Sequence, residues 1–188
     1  MRRRQLLQSL SAVFLAPSTV ASQPGRIYRI GVVFPGGPYY AAVDGLRDGL
    51  KDAGFSEGIQ YLLQIRDEHG DLKAAEIAAR ELERDRVDII FSLPTSVSVA
   101  AKRATARVPI VFWAGNDAVD AGLVQSLARP GGRLTGVSSL STAVTTKRLQ
   151  LLKEISPALR RAITFYDPAN PAAQGSLRWR ALRPRSLE

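Results

Sequence analysis

Between Tyr28 and Ala128 the chain repeats one pattern four times. A short run of apolar residues gives way to small or turn-forming residues, and these lead into a segment whose apolar positions recur at helical spacing. The apolar runs are YRIGVVF (28–34), YLLQI (61–65), VDIIFSL (87–93) and VPIVFW (108–113). They lack the clean alternation of a strand wetted on one face, so they read as strands buried on both. The first helical segment runs from Tyr40 to Ala53, with Val43, Leu46 and Leu50 in phase and Gly54 as its stop. The second opens on Asp71 as a cap and turns Leu72, Ala75, Ala79 and Leu82 inward. An alanine-rich third runs from about Ser96 to Ala106, and AVDAGLVQSLA (118–128) reads as a fourth. PGGRLTGVS (130–138) is a turn into a short fifth strand. Alternation of this kind specifies a parallel sheet with helices on both faces, and right-handed crossovers make it a doubly wound α/β domain.

The pattern then restarts. TTKRLQLLKEI (145–155) reads as an amphipathic helix with Leu149, Leu152 and Ile155 inward. RAITFYDPANPAA (161–173) reads as another strand followed by another turn-rich loop, the opening of a second α/β lobe. The regularity ends at QGSLRWRALRPRSLE, which has four arginines and no readable strand. The expected organisation is a leader over 1–22, a first ligand-binding lobe over 23–140, a hinge and the start of a second lobe over 141–173, and an irregular basic tail over 174–188.

Charge and composition narrow the function. The formal net charge of +9 suggests a nucleic-acid binder until it is placed along the chain. Residues 1–22 and residues 178–188 carry +3 each, which leaves +3 for everything between. There, basic residues alternate with acids, as in ARELERDRVD, the mark of a solvated helix face. No nucleic-acid partner is expected. With no cysteine, disulfides and thiol chemistry are excluded; with one histidine, so is a His-rich metal site. MRRRQLLQSLSAVFLAPSTVAS has a basic start, an apolar stretch from Leu6 to Ala16, and small residues at Ser18, Ala21 and Ser22. That order matches a secretory signal peptide, and RRQLL loosely matches a twin-arginine signal. The apolar run is too short for a stable membrane anchor. A mature chain would start near Ser22 or Gln23 and work outside the cytoplasm; the plainer alternative is an amphipathic N-terminal helix.

In open parallel sheets, ligands bind beyond the carboxyl ends of the strands. Here those ends lead into PGGPYY (35–40), SLPTSVS (92–98), AGND (114–117) and YDPANP (166–171), loops without lysine or arginine. Gly36, Gly37 and Gly115 allow close approach of backbone to a ligand. Thr95, Ser96 or Ser98 can offer hydroxyls at a helix start whose free N–H groups can hold a carboxylate, and Ser92, at the end of the third strand, joins Thr95, Ser96 and Asp117 among the polar candidates. Asn116 and Asp117 offer acceptors for an ammonium group or a hydroxyl, and Asp167 and Asn170 sit in the corresponding loop of the second lobe. Bland roles compete with each. Ser and Thr before a helix are most often caps, Asp117 can cap the segment containing Val119 and Leu123, and the glycines can serve only their turns. Phe34 and Trp113 can wall a planar ligand or pack the core, and Tyr39 and Tyr40 can close over a ligand or staple the first helix. His69 reads as an exposed loop residue.

Catalytic signatures are missing. There is no G-x-x-x-x-G-K-[ST], no G-x-S-x-G and no metal-spaced histidine pair. Neither Asp67 with Glu68 nor Asp117 with Asp120 has a visible partner to tune it as acid and base. No cofactor or metal is expected.

Six segments together resemble the substrate-binding proteins of ABC transporters, in the group that includes tryptophan- and tyrosine-type binders. They are GLRDGLKDAGFSEG (45–58), VDIIFS (87–92), ATARVPIVF (104–112), NDAVDAGLVQSLARPGGRLTGVS (116–138), KRLQLLKEISP (147–157) and YDPANP (166–171). The resemblance implies lobes of the type I periplasmic binding protein kind, joined by a hinge and closing on a small ligand such as an amino acid. It also implies delivery to a membrane permease and residence in the periplasm. The site it implies comprises the loops after the first, third and fourth strands together with 166–171. The family reads Asp-Pro-Val where this chain has Asp117-Ala118-Val119, Gly-Gln-Asn where it has Gly58-Ile59-Gln60, and Asn where it has Arg133. Members continue well beyond residue 173, so the chain is expected to be C-terminally truncated. The competing readings are an enzyme on a Rossmann-like fold, a cytoplasmic ligand-sensing domain related to sugar-responsive repressors, and a non-functional truncated fragment.

Overall fold

The structure is a computed structural model that describes residues 26–139, 141–161 and 163. The leader, the loop with Asp167 and Asn170, and the basic tail lie outside those residues. In chain order the elements are β1 (Tyr28–Phe34), α1 (Tyr40–Asp52), β2 (Tyr61–Asp67), α2 (Leu72–Arg84), β3 (Ile89–Ser92), α3 (Thr95–Ala104), β4 (Ile110–Ala114), β5 (Leu134–Ser138) and α4 (Ser141–Ile155). A single 3-10 turn, Gly37–Tyr39, precedes α1. The five strands form one parallel sheet in the order β2-β1-β3-β4-β5. This is the doubly wound α/β fold expected from the apolar runs.

The two faces of the sheet are read off alternate residues of β1. Ile30, Val32 and Phe34 join Val43, Leu46 and Leu50 of α1 in one cluster. Val33 faces the other way, into a cluster with Ala75, Ala78, Ala79 and Leu82 of α2 and Ala100 and Ala101 of α3. Small residues on α2 and α3 let the two helices lie close together. Gly31 does the same for helix and sheet, because a Cβ there would stand 2.7 Å from Cδ1 of Leu82. Asp71 caps α2 as expected, Oδ1 accepting from the N–H groups of Lys73 at 2.8 Å and Ala74 at 3.3 Å.

Two sequence expectations are corrected. The fourth helix over 118–128 does not form. Asp117 opens one helical turn, in which the Ala121 N–H reaches the Asp117 carbonyl at 3.0 Å. Gly122 then takes φ 69°, and the N–H groups of Gly122 and Leu123 fold back onto the carbonyls of Val119 and Ala118 at 2.9 Å each. This is a Schellman ending, which a left-handed glycine permits. Burial of Leu123 and Val124 in the α2–α3 cluster outweighs their helical spacing. The second correction concerns α4. Leu149 is half-buried, but Leu152 is 43% and Ile155 81% exposed, so the inward face expected for this helix is not covered among the described residues. The sheet is likewise open over β4 and β5 on the α1 side, where Trp113 is 42% and Val137 65% exposed.

Candidate functional site

In the order β2-β1-β3-β4-β5 the chain moves in opposite directions from β1, so the loops after β1 and β3 part and leave a crevice at the carboxyl edge. Registers Val33↔Ser92 and Ser92↔Phe112 place the carboxyl ends of β1, β3 and β4 side by side. Gly36, Gly37, Thr95, Ser96, Gly115, Asn116 and Asp117 therefore emerge from one edge of the sheet.

After β1 the chain turns sharply through Gly36 (φ 72°) and Gly37 (φ 58°), conformations that favour glycine. The two glycines differ in surroundings. A Cβ at Gly36 would overlap the carboxylate of Asp67, whereas one at Gly37 would meet nothing within 4 Å. Gly115 is open in the same way. Phe34 is fully buried and meets the ring of Tyr40 edge-on at 4.9 Å, which makes it core. Trp113, by contrast, is partly exposed and meets Tyr39 at 6.3 Å, joining the loop after β1 to the end of β4.

After β3, Ser92 is fully buried. Its hydroxyl donates to Oγ of Ser98 at 2.9 Å, and Ser98 Oγ lies 3.1 Å from the Ser92 carbonyl and 3.0 Å from that of Pro94. Ser92 thus anchors the start of α3 from beneath. Thr95 and Ser96 open that helix, whose N-cap Pro94 makes no side-chain bond to the first turn. Those leading N–H groups, at the edge of the crevice, carry the positive end of the helix dipole. Thr95 also accepts from the Asn116 N–H at 3.3 Å, which ties the β3 and β4 loops together.

After β4, Asp117 Oδ1 accepts from the N–H groups of Val119 at 2.8 Å and Asp120 at 3.2 Å, the capping role weighed above. The end of β5 frames this loop. Ser138 Oγ accepts from the Ala118 N–H and donates to the Asn116 carbonyl, each at 3.0 Å, and Ser139 Oγ bonds to the Gly115 carbonyl.

Sequence reasoning weighed Asp67 only as a carboxylate without a visible partner and missed Ser138 and Ser139. All three stand at or just past the carboxyl end of a strand, so the strand-end rule finds them once β2 is extended to residue 67 and β5 is given its full length. Asp67 Oδ2 accepts from the Tyr40 hydroxyl at 3.0 Å, and Oδ1 from the His69 N–H at 3.0 Å. The hydrogen bond to Asp67, then burial and the carboxylate's charge, hold the Tyr40 phenol above its ordinary pKa. The His69 side chain is 86% exposed on a left-handed turn (φ 48°), as its loop reading implies.

At the opposite, amino edge lies an apolar hollow of about 380 Å³ lined by Tyr28, Ile30, Leu50, Phe55, Tyr61 and Ile89. It lacks converging polar groups. Asp88 at its rim is engaged by Arg26 and by the Arg29 N–H. Among the described residues no cluster of three His, Cys, Asp or Glu is placed to hold a metal ion, and no helix is long and apolar enough to cross a membrane.

Loops of three adjacent strands thus converge at the switch point of an open parallel α/β sheet. The chain belongs to the ABC transporter substrate binding protein family, whose model matches residues 30–180. It is 30% identical over 126 residues to a tyrosine-binding protein of Clostridioides difficile strain R20291, a match covering 67% of this chain and 36% of that protein. Among solved structures it resembles a conserved domain protein from Vibrio cholerae (31% identity, TM-score 0.70, covering 79% of this chain and 50% of that one). It also resembles a ligand-free, open substrate-binding protein with adhesive properties from Clostridium difficile (29%, TM-score 0.60, 70% and 44%). An L-Trp complex from Streptococcus pneumoniae shares the fold at 23% identity and TM-score 0.70, over 81% of this chain and 51% of that one. The chain thus spans about a third to a half of the length of these relatives.

Proposed function

We propose that the described lobe is one wall of an extracytoplasmic jaw that captures an amino acid or similar small carboxylate and passes it to a membrane permease without making or breaking a bond. The observation that carries this reading is the convergence of Gly37, Gly115, Thr95 and Ser96 around the uncapped start of α3. An anion there gains about 0.3–1 kcal/mol, and up to ~2 when partly buried. The open faces of Gly37 and Gly115 leave room for the guest, and the name of the tyrosine-binding relative supports an amino acid as that guest. Asp167 and Asn170 would reach the same guest from the second lobe, whose start we place at 141–173. Closure of two such lobes follows from the ligand's greater affinity for the closed state. Residues 1–22 would direct export to the periplasm and be removed near Ser22.

Contacts from the described lobe meet a guest on one side, so binding through them should be weak, with a dissociation constant on the order of millimolar. Amide NMR titration with L-tyrosine, L-tryptophan and L-leucine tests this. Shifts are expected at Gly37, Thr95, Ser96, Gly115 and Asn116. Shifts confined to the amino-edge hollow, or none at all, would overturn the reading.

A further inference from the structure

We infer that Asp67 is a positioning residue: from the end of β2 it fixes the shape of the Gly36–Tyr40 loop that lines the crevice. The inference rests on the carboxyl edge being the ligand wall and names a residue that shapes that wall. Three features of the loop and its surroundings meet at this carboxylate. Oδ2 takes the Tyr40 hydroxyl, Oδ1 takes the His69 N–H, and the carboxylate fills the space that a side chain at Gly36 would need. The Asp67 side chain is only 16% exposed, and the His69 ring lies beside it, with Nδ1 3.2 Å from Oδ1.

The consequence extends beyond β2. Tyr40 is the first residue of α1 and is fixed on its other side by Phe34. Tyr39, next to it, meets Trp113 of β4. A carboxylate on the edge strand is therefore linked through two consecutive tyrosines to the far side of the crevice. The simplest alternative is that Asp67 merely caps α1. The structure argues against it, because the N-terminus of α1 has no side-chain cap bond and Asp67 accepts from a phenol and a loop amide. Loss of Asp67 should deform the loop while leaving the helix formed.

Trp113 supplies the readout, since Trp179→Phe leaves it the only tryptophan of the two in the chain. In that background, acrylamide quenching of Trp113 should rise about twofold in Asp67→Leu and in Tyr40→Phe, as expected when a supporting shell is removed from a preorganised wall. Asp67→Asn, which keeps an acceptor oxygen for Tyr40, should restore the parent value. NMR of ¹³C-labelled tyrosine should show the Tyr40 phenol returning toward its ordinary titration range in Asp67→Leu. Tyr40→Phe removes one oxygen, so the test survives if Asp67→Leu does not fold. Unchanged quenching in Tyr40→Phe, or an Asn variant that behaves like Leu, overturns the inference. These measurements need no ligand. Absence of amino-acid shifts in the parent chain would sink the proposed function and still leave the role of Asp67 decided.

Discussion

The amino and carboxyl edges of this sheet tie their connecting segments together differently. At the amino edge, charged side chains are committed to the chain's own backbone. Glu83 accepts from the N–H groups of Ala106, Arg107 and Val108 at 3.0, 2.7 and 2.9 Å. Arg133 donates to the carbonyls of Lys102, Thr105 and Val108 at 2.9, 2.7 and 2.8 Å. Together they hold the end of α3 and the entry to β4. At the carboxyl edge the carboxylates of Asp67 and Asp117 each hold their own loop, and the ties between neighbouring loops are made by short hydroxyls: Ser138 and Ser139 brace 115–118, Thr95 meets Asn116, and the first turn of α3 has no side-chain cap. Under the proposed function, the contrast separates holding the fold from receiving a guest. Side chains bonded to the chain's own backbone are engaged in the fold, whereas an edge braced by small groups keeps backbone N–H groups available.

The sharpest test of that division is Arg133→Met, which retains an apolar stem and removes the donors to three carbonyls. Unfolding in urea should show a loss of about 2–3 kcal/mol, the scale expected when several partly buried backbone acceptors lose a charged partner. Glu83 and Arg133 grip the same segment, both meeting Val108, so Glu83→Gln combined with Arg133→Met should cost less than the two losses added. Additive losses would mean that the amino edge is two independent bonds and not one clamp.

A smaller effect follows from acid. Burial alone pushes the Glu83 carboxyl upward, but the three backbone donors and the charge of Arg133 outweigh it and leave its pKa below the ordinary 4.5. The folded state therefore favours the ionised form. Its stabilisation is complete above the ordinary carboxylate value and is lost as pH falls through the lowered one. At pH 7, Glu83→Gln should cost about 1–2 kcal/mol, and the gap between parent and variant should narrow as pH falls below about 4.5. A gap that stays constant to pH 3 would show that shape, not charge, makes the contact.

How much of this was legible in the residues differs between the edges. Doubly buried strands announce themselves as apolar runs, so the parallel sheet and α1 to α3 followed from local pattern, down to Asp71 as a cap. The turn after Asp117 did not. Its helical spacing is genuine, but Gly122 adopts a left-handed conformation and Leu123 and Val124 find a better burial against α2 and α3, a tertiary preference that no local period records. The amino-edge clamp was invisible for a related reason: Glu83 sits 23 to 25 residues from the segment whose N–H groups it accepts, and charged residues in a basic–acidic run read as solvated. At the carboxyl edge, strand ends indicated which loops share one edge, yet residue type alone could not tell Ser92, fully buried beneath α3, from Thr95 and Ser96 in the first turn of that helix. Nor could it show that Asp67 fills the gap left by Gly36.

The smallest expected effect bears most directly on the contrast between edges. Thr95 is 3% exposed and gives its hydroxyl to one long bond, 3.3 Å from the Asn116 N–H. Thr95→Val keeps the volume and removes that acceptor, so its cost in urea unfolding should stay within about 0.5–1.5 kcal/mol, below that of Arg133→Met. Under the proposed function its effect on ligand titration should be large by comparison, because the hydroxyl couples the loops after β3 and β4: amino-acid-induced amide shifts at Asn116 should shrink while those at Gly37 persist. If Thr95→Val destabilises the fold as much as Arg133→Met, the carboxyl edge is a structural seam like the other. If instead stability holds and the Asn116 shifts fade, the edge that contributes least to folding is the one that feels the guest.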